Sequence, residues 1–375
     1  DYLEEVSEDK IVKGKTGFKN TEVWNKLYKF QKDGVLGAIE KLERYNGCII
    51  ADSVGLGKTF EALAVIKYYE LRNDRVLVLC PKKLRDNWTL YTQNDTRNIL
   101  INDRFRYDVL NHTDLSRIQG MSGNIDLRTI NWGNYDLVVI DESHNFRNNQ
   151  ARNDKETRYS KLMNEIIKKG VNTKGLLLSA TPVNNKMNDI KNQIAFITEG
   201  EDRHFESEGI KSIEATLRKA QMIFNKWVDL PEEERTTQTF LEMINFDYFK
   251  LLDTITIARS RKHIEKYYNM GEIGKFPERL APENLHCNID IKDEFESISN
   301  LNKKIMRLNL AIYSPLQYVL PEKRKVYSAK YDIKVKGGKS VFKQTDRERS
   351  IVNLMRVNIL KRLESSINSF TITDR

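Results

Sequence analysis

The sequence predicts an α/β fold in which a parallel sheet is flanked by helices. Four short apolar runs, at residues 48–51, 76–80, 137–140 and 176–178, predict strands. None of them alternates polar with apolar residues, which is typical of strands covered on both faces. Residues 60–71, between the first two runs, have apolar residues at helical spacing. The order strand, helix, strand indicates a βαβ unit, whose two strands are parallel.

Helical patterns replace the strand pattern after Pro182. Residues 187–197, 210–227 and 240–257 have helical spacing and predict a helical insertion in the sheet domain. Residues 262–282 are rich in Gly and Pro and predict a connector. Residues 293–313 and 351–370 predict two further helices on either side of a basic stretch. The chain is therefore expected to end in a helical and basic C-terminal segment.

The composition is that of a globular protein. The chain has 375 residues, of which 39% are hydrophobic and 31% charged, so we expect one main domain with helical additions or part of a second domain. No apolar run approaches the roughly 18 residues that cross a bilayer, so no membrane partner is expected.

The acidic first ten residues lack a Met and a secretion pattern, and we expect Asp1 to be an internal cut point. Three scattered cysteines fit a reducing cytoplasm, the expected location.

The net charge of +9 is concentrated in one segment. Residues 321–362 contain thirteen Lys or Arg and four Asp or Glu, so this stretch accounts for the whole excess. Such a stretch is either a contact surface for phosphates or a solvated basic surface, and the sequence leaves both interpretations open.

The first chemical motif follows the first predicted strand and reads Asp-Ser-Val-Gly-Leu-Gly-Lys-Thr. Glycine lets the main chain curl closely around a phosphate, and the helix that follows offers its positive N-terminal end. Lys58 would reach the β and γ oxygens of a nucleoside triphosphate, and the Thr59 hydroxyl would bind Mg²⁺. A Gly-rich turn before a helix is the alternative, which the Gly-Lys-Thr ending disfavours. The candidate nucleotide-binding residues are Asp52, Ser53, Val54, Gly55, Leu56, Gly57, Lys58 and Thr59.

The second motif closes the third predicted strand, where Asp141 and Glu142 are adjacent. Two neighbouring carboxylates at the end of a buried strand are costly without a cation, because burial and mutual repulsion both oppose their ionisation. Asp141 is therefore the candidate Mg²⁺ ligand, and Glu142 is the candidate base that orients the attacking water. Glu142 and Lys58 are the candidate catalytic residues. The alternative is that the pair caps a helix.

The third motif, Leu-Ser-Ala-Thr-Pro-Val-Asn-Asn, ends the fourth predicted strand at residues 178–185. By itself it indicates only a turn from a strand to a loop. The hydroxyl groups of Ser179 and Thr181 could hydrogen-bond the second motif, including His144, and so couple the phosphate site to the rest of the protein.

Several segments in order resemble one family. They are Tyr-Lys-Phe-Gln-Lys-Asp-Gly-Val at 28–35, Cys-Pro-Lys-Lys-Leu-Arg-Asp-Asn-Trp at 80–88, His-Asn-Phe-Arg-Asn at 144–148 and Ala-Arg-Ser-Arg-Lys at 258–262. With the three motifs above, including Asp52 where the general phosphate-loop pattern has Gly, they resemble the Swi/Snf type of superfamily two helicase-like ATPases, in its prokaryotic form. The resemblance covers residues 26–262.

The resemblance implies a RecA-like fold, ATP and Mg²⁺ as cofactors and double-stranded DNA as a partner. By the same resemblance, Gln31 would read adenine, and Lys82 and Lys83 would lie near the DNA backbone. It implies a leader at residues 1–25, a first RecA-like lobe at 26–200, a helical protrusion with the return to the lobe at 201–262, and a connector with the possible start of a second lobe at 263–375. The second lobe's Gln-x-x-Gly-Arg-x-x-Arg segment, which carries the arginine finger, does not occur in the sequence.

The expected function is that of a DNA-dependent ATPase, the ATP-hydrolysing lobe of a translocase on duplex DNA. Because the finger is absent, we expect the 375 residues alone to hydrolyse ATP weakly. A second RecA-like lobe in the same chain is an implied partner, and so is a nuclease or defence-system component, as in prokaryotic relatives. Two alternatives stay open: a nucleotide-dependent switch or adaptor that does not hydrolyse ATP, and an RNA helicase.

Overall fold

A computed structural model describes residues 17–146, 157–183, 187–244, 246–278, 280–283, 296–334 and 341–374. The chain divides into two compact units, Asp1–Glu278 (unit 1) and Arg279–Arg375 (unit 2). Within the described ranges, no helix combines the length and the apolar character that a membrane crossing requires.

Unit 1 is built on a six-stranded sheet. Its strands lie in the order β3-β2-β6-β7-β1-β8, and each neighbouring pair is parallel. A separate antiparallel pair, β4 and β5, forms a small hairpin. The strands are β1 (Gly47–Ile50), β2 (Val76–Cys80), β3 (Asp108–Asn111), β4 (Met121–Ser122), β5 (Ile125–Asp126), β6 (Leu137–Asp141), β7 (Lys174–Leu178) and β8 (Thr256–Ile257).

Helices cover both faces of this sheet. In β6, Leu137 and Val139 belong to one apolar cluster, whereas Val138 and Ile140 belong to another on the opposite face. Both faces of the strand are buried, which is why the run does not alternate. The α-helices that the structure describes in unit 1 are α1 (Glu22–Lys26), α2 (Lys29–Tyr45), α3 (Lys58–Glu70), α4 (Arg85–Thr89), α5 (Arg158–Lys161), α6 (Lys191–Thr198), α7 (Ile213–Val228), α8 (Thr237–Met243), α9 (Phe246–Ile255), α10 (Arg261–Tyr267) and α11 (Met270–Ile273). A π-helix (Leu162–Lys168) continues α5.

The predicted α/β class with a parallel sheet flanked by helices is confirmed, and all four predicted strands are present. Two strands of the six-stranded sheet were not predicted, and neither were the short antiparallel pairs, β4 with β5 and, in unit 2, Ile333–Lys334 with Val341–Phe342. β3 contains only two consecutive apolar residues and lies at one edge of the sheet, and β8 has two residues at the other edge. Residues 240–257 are therefore not one helix as predicted: the end of this stretch pairs with β1, where the Ala51 amide donates to the Ile257 carbonyl oxygen at 2.7 Å.

Smaller differences concern helix boundaries. The predicted helix at 187–197 begins as a 3₁₀ turn (Met187–Ile190) before α6, and the predicted connector contains α10 and α11. These two helices are short: Gly271 lies within α11, Gly274 ends it, and the prolines of the connector follow.

Unit 2 is mainly helical. Its helices are α12 (Ile298–Arg307), α13 (Pro321–Tyr331), α14 (Gln344–Ser365) and α15 (Ile367–Asp374), and β9 (Ile333–Lys334) pairs antiparallel with β10 (Val341–Phe342). The predicted helix at 351–370 is interrupted at Ser366, whose backbone is extended. The predicted helix at 293–313 is shorter than expected, and residues 293–295 lie outside the described ranges. Ile305, Leu363 and Phe370 form the small buried core of this unit.

Candidate functional site

The three motifs meet at the carboxyl edge of the sheet in unit 1. Leu178 at the end of β7 is in register with Ile50 of β1 on one side and with Asp141 of β6 on the other. Because neighbouring strands are about 4.8 Å apart, the Cα atoms of Ile50 and Asp141 are separated by roughly 10 Å. The loop that begins directly after Ile50 and the carboxylate of Asp141 therefore face the same end of the sheet.

The loop after β1 has the backbone of a phosphate cradle. Gly55 and Gly57 have φ angles of 84° and 86°, the left-handed region that glycine adopts without strain. The helix α3 begins at Lys58, so Lys58 and Thr59 occupy its first turn. The Lys58 ammonium donates to the carbonyl oxygen of Asp52 at 2.8 Å, which folds the side chain over the loop.

Gln31 of α2 is attached to this loop. Its Nε2 donates to the Leu56 carbonyl oxygen at 3.0 Å, and its Oε1 accepts from the Tyr28 amide at 3.0 Å. A Cβ atom at Gly57 would lie only 2.4 Å from Gln31 Nε2. The amide predicted to read adenine is thus buried directly against the phosphate loop.

Asp141 is held by two donors. Its Oδ2 accepts from the indole Nε1 of Trp88 at 2.9 Å, and its Oδ1 accepts from the Glu142 amide at 2.9 Å. Burial raises the pKa of Asp141, and the neighbouring Glu142 carboxylate adds to this, whereas the Trp88 hydrogen bond and the charge of Lys58 oppose it. The Lys58 ammonium and the Asp141 carboxylate are therefore close enough to interact electrostatically across the space between the phosphate loop and the end of β6, which we call the cleft.

Glu142 has an unusual backbone for its residue type. Its φ angle is 50°, in the left-handed region, which non-glycine residues adopt rarely and at some cost. Its side chain is 41% exposed, and Oε2 lies 3.2 Å from Nδ1 of His144. The strained turn leaves the carboxylate next to Asp141 and accessible from the cleft.

A polar chain joins the second motif to the third. Nδ1 of His144 lies 3.2 Å from the hydroxyl oxygen of Ser179, which in turn accepts from the Thr181 amide at 3.2 Å. Ser179 is fully buried. Residues 147 and 148 of the second motif's tail, and residues 184 and 185 of the third motif, lie outside the described ranges.

A second link between these motifs involves a residue that the sequence reasoning missed. The Ser143 hydroxyl donates to Oε1 of Gln193 at 2.7 Å, and Nε2 of Gln193 donates to the Pro182 carbonyl oxygen at 2.8 Å. Ser143 and Gln193 are both fully buried. The sequence did contain one indication of this role: Gln193 is a polar residue on the apolar side of the amphipathic helix α6.

The Asp52 side chain is bonded within the protein. Asp52 is fully buried, and both of its carboxylate oxygens accept from the guanidinium of Arg259. The same guanidinium lies 2.5 Å from Oε1 of Glu61 in α3 and also donates to the Phe30 carbonyl oxygen. The Asp52 carboxylate therefore anchors the loop to Arg259.

The connector after β8 also contacts the loop. Arg261 donates to the Val54 carbonyl oxygen at 3.3 Å, and the Tyr268 hydroxyl donates to Asp33 of α2 at 2.9 Å. The Leu56 side chain is buried with Phe30 and Ile264 in a small apolar cluster. Leu56 thus contributes packing to the loop, whereas Val54 and Gly55 are exposed and Ser53 is partly buried.

The segment at 80–88, which the resemblance places near DNA, has an exposed part and a buried part. Lys82 and Lys83 are exposed on a 3₁₀ turn (Lys82–Leu84) after β2, at the same edge of the sheet as the phosphate loop. Trp88, which ends the same segment, is 1% exposed and supports Asp141. The Trp88 side chain is therefore part of the cleft's interior, and the two lysines are the surface residues.

Comparisons with known proteins match the part of the chain that carries these motifs. Residues 24–184 match the family described as "Type III restriction enzyme, res subunit". The chain is 31% identical over 178 residues to the uncharacterized ATP-dependent helicase YqhH of Bacillus subtilis, covering 45% of this chain and 30% of that protein. It is 28% identical over 188 residues to the mouse DNA annealing helicase and endonuclease ZRANB3, covering 45% of this chain and 16% of that protein.

A solved structure of the Sulfolobus solfataricus SWI2/SNF2 ATPase core in complex with double-stranded DNA is 18% identical, with a TM-score of 0.40, and the match covers 81% of this chain and 56% of that one. The chain spans less than a third of the length of the two curated relatives. The matched residues, 24–184, include the phosphate loop, the Asp141–Glu142 pair and the Ser179–Thr181 turn. From residue 24 to residue 184 the chain is thus similar to the first lobe of superfamily two helicase-like ATPases of the Swi/Snf type.

Proposed function

We propose that this lobe binds and hydrolyses ATP as part of a motor that moves along double-stranded DNA. The observation that carries the proposal is the register of β1, β7 and β6, which brings the phosphate loop and the Asp141–Glu142 pair to one end of the sheet. A triphosphate in that cleft would have a cationic side chain on one side and a carboxylate base on the other.

The phosphate loop supplies the binding groups. Amide groups near Gly55 and Gly57 and the N-terminal end of α3 would surround the β-phosphate. The Lys58 ammonium would exchange the Asp52 carbonyl oxygen, its present acceptor at 2.8 Å, for phosphate oxygens. Gln31 would sense adenine with the donor and acceptor capacity that its bonds to Tyr28 and Leu56 leave free.

The donor set of the cleft fits Mg²⁺. This ion keeps most of its waters and is held by one or two protein oxygens together with phosphates. The Thr59 hydroxyl and the Asp141 carboxylate are the ligands we propose. The raised pKa of Asp141 supports this assignment, because a divalent cation would favour the charged carboxylate that burial now disfavours. Bound there, Mg²⁺ would neutralise charge on the phosphate oxygens.

Hydrolysis requires a base near the γ-phosphate, and Glu142 is the residue we assign. Its left-handed backbone holds the carboxylate beside Asp141, and Nδ1 of His144 lies 3.2 Å from one of its oxygens. Glu142 would orient a water molecule and take its proton as the water attacks phosphorus. The intact base argues against a switch that binds ATP without turnover.

Contacts with DNA would come from exposed cations at this edge of the lobe. Lys82 and Lys83 are suited to phosphates, which every DNA sequence offers, so binding would be tolerant of sequence and sensitive to salt. We further propose that the chain is organised as expected from the resemblance: lobe at 26–200, protrusion and return at 201–262, and a connector leading to a second lobe after 263. The second lobe would supply the arginine finger.

The test is the ATPase rate of the full-length protein with and without duplex DNA. We expect duplex DNA to raise kcat and the 375 residues alone to hydrolyse ATP slowly, because the finger is missing. An ATPase that ignores duplex DNA but responds to RNA would identify an RNA helicase instead. Nucleotide binding without turnover under either condition would identify the switch or adaptor.

A further inference from the structure

The basic segment of the sequence, residues 321–362, contributes to a surface pocket within unit 2. The pocket has a volume of about 270 Å³. Two helices of the basic segment, α13 and α14, and the 3₁₀ turn before them (Pro315–Tyr318) form its walls. Its polar lining consists of Gln317, Arg324, Ser328, Thr345, Glu348 and Arg349.

Helical spacing brings these side chains together. Arg324 and Ser328 are four residues apart on α13, so they lie on the same face of that helix. Thr345, Glu348 and Arg349 are separated by three and four residues on α14 and share a face for the same reason. Where the two faces meet, the pocket gathers two guanidinium groups and two hydroxyl groups.

The guanidinium groups are available to an anion. Nε of Arg324 donates to the Val319 carbonyl oxygen at 3.2 Å, which orients the group. Among the residues that the structure describes, neither Arg324 nor Arg349 forms an ion pair, and both are exposed. Glu348 is 5% exposed, and its carboxylate accepts from the Leu316 amide at 3.1 Å. The acid thus binds the turn, and the pocket keeps a net positive charge.

We infer that this pocket binds the phosphate backbone of duplex DNA. Guanidinium forks bind phosphate oxygens in pairs, and serine and threonine hydroxyls add neutral donors. The exposed arginines can reach a polymer, and the surrounding excess of positive charge would attract one. The inference rests on the proposed function for the choice of duplex DNA, and free phosphate is the other source of the same chemistry.

The experiment measures the affinity of the full-length protein for a short fluorescent duplex over a series of salt concentrations, without nucleotide. In the pocket variant, Arg324→Ala with Arg349→Ala, we expect affinity to fall roughly tenfold and the slope of log K against log salt to fall by about 1 to 2. The matched control is Lys325→Ala with Arg347→Ala, which removes the same charge from exposed positions of the same helices outside the pocket. The control should retain most of the slope.

A second variant distinguishes the loss of phosphate contacts from a loss of folding. Arg324→Lys with Arg349→Lys keeps the charge and removes the planar fork, and it should lie between wild type and the alanine pair. Circular dichroism melts check that all variants fold. Equal slopes for pocket and control variants would overturn the inference. Calorimetry with inorganic phosphate gives a second test. If the alanine pair loses phosphate binding but keeps its affinity for the duplex, the pocket is a site for small anions and the inference is overturned.

The experiment can distinguish a failure of the pocket assignment from a failure of the proposed function. If wild-type protein binds the duplex with the expected slope change in the pocket variant but hydrolyses no ATP, the pocket stands and the motor proposal fails. If duplex DNA stimulates ATP hydrolysis and the pocket variant has the wild-type slope, the motor proposal stands and the pocket assignment fails.

Discussion

Nη2 of Arg259, two residues after β8, lies 2.5 Å from Oδ2 of Asp52, the first residue of the phosphate motif. The two residues are 207 positions apart in the sequence and both are buried. Arg259 also contacts Glu61, so one guanidinium serves two buried carboxylates. This contact fastens the chain that returns from the helical protrusion to the loop that we propose holds ATP.

We expect Arg259→Met to destabilise unit 1 by about 3–5 kcal/mol, because two buried carboxylates would lose their cation. Burial raises the pKa of Glu61 even with Arg259 present, so the loss of Arg259 would further favour protonation of Glu61. Chemical denaturation measures the free energy of unfolding. The matched control is Arg128→Met, whose exposed ion pair with Asp126 should contribute little to stability because water screens it. Equal losses in the two variants would contradict the anchoring role.

Lys58→Ala and Glu142→Gln should separate binding from hydrolysis. Removing the Lys58 ammonium takes away the cation for the β and γ oxygens, so nucleotide binding should be lost. Glu142→Gln keeps the size of the side chain but cannot accept the proton of the attacking water, so binding should remain while turnover stops. Fluorescent-nucleotide titration and an ATPase assay measure the two effects. Full turnover by Glu142→Gln would show that another residue is the base.

The sequence predicted the parallel sheet because buried parallel strands are continuous apolar runs, as in residues 137–140. It also predicted which loops carry the polar motifs. It could not predict β8, because two residues carry no periodicity and pair only where β1 offers an open edge. Nor could it pair Asp52 with Arg259, since that contact depends on the path of the whole protrusion. Trp88 belongs to a segment that resembles a DNA-contact motif, but in the structure its side chain is buried and donates to Asp141. That contact depends on tertiary packing, which the sequence does not show.

Gln193 should act as a positioning residue between Ser143 and Pro182. In Gln193→Leu the Ser143 hydroxyl and the Pro182 carbonyl oxygen lose their partners, which should cost about 1–3 kcal/mol of stability. We also expect a lower kcat with little change in nucleotide affinity, since the link joins the second motif to the third rather than to the phosphate loop. Gln193→Glu can still accept from Ser143 but cannot donate to Pro182, so it should recover part of the kcat. Equal effects on affinity and kcat would indicate a purely structural role.

His112 should make the stability of unit 1 depend on pH. Burial lowers the pKa of His112 to about 4, below the value of about 6.5 for an exposed histidine. Between these values the unfolded imidazole takes up a proton and the folded one does not, so stability falls as the pH falls. From pH 7 to pH 5 this group should remove about 2 kcal/mol. Urea denaturation of wild type and His112→Asn at both pH values measures it, and an equal pH dependence in the two proteins would contradict the assignment.

Gly57→Ala tests how closely Gln31 and the phosphate loop depend on each other. The φ angle of Gly57 is 86°, and an added Cβ would lie 2.4 Å from Gln31 Nε2, so the amide must leave the Leu56 carbonyl oxygen. Gly200 is the matched control, because its φ angle is 84° and nothing lies within 4 Å of its added Cβ. The left-handed backbone should cost each alanine variant about 1–2 kcal/mol of stability. Only Gly57→Ala should also weaken ATP binding, by roughly tenfold or about 1.4 kcal/mol, because it alone displaces a residue of the site. Fluorescent-nucleotide titration of the two variants decides the matter: equal affinities would mean that the position of Gln31 has no influence on the nucleotide.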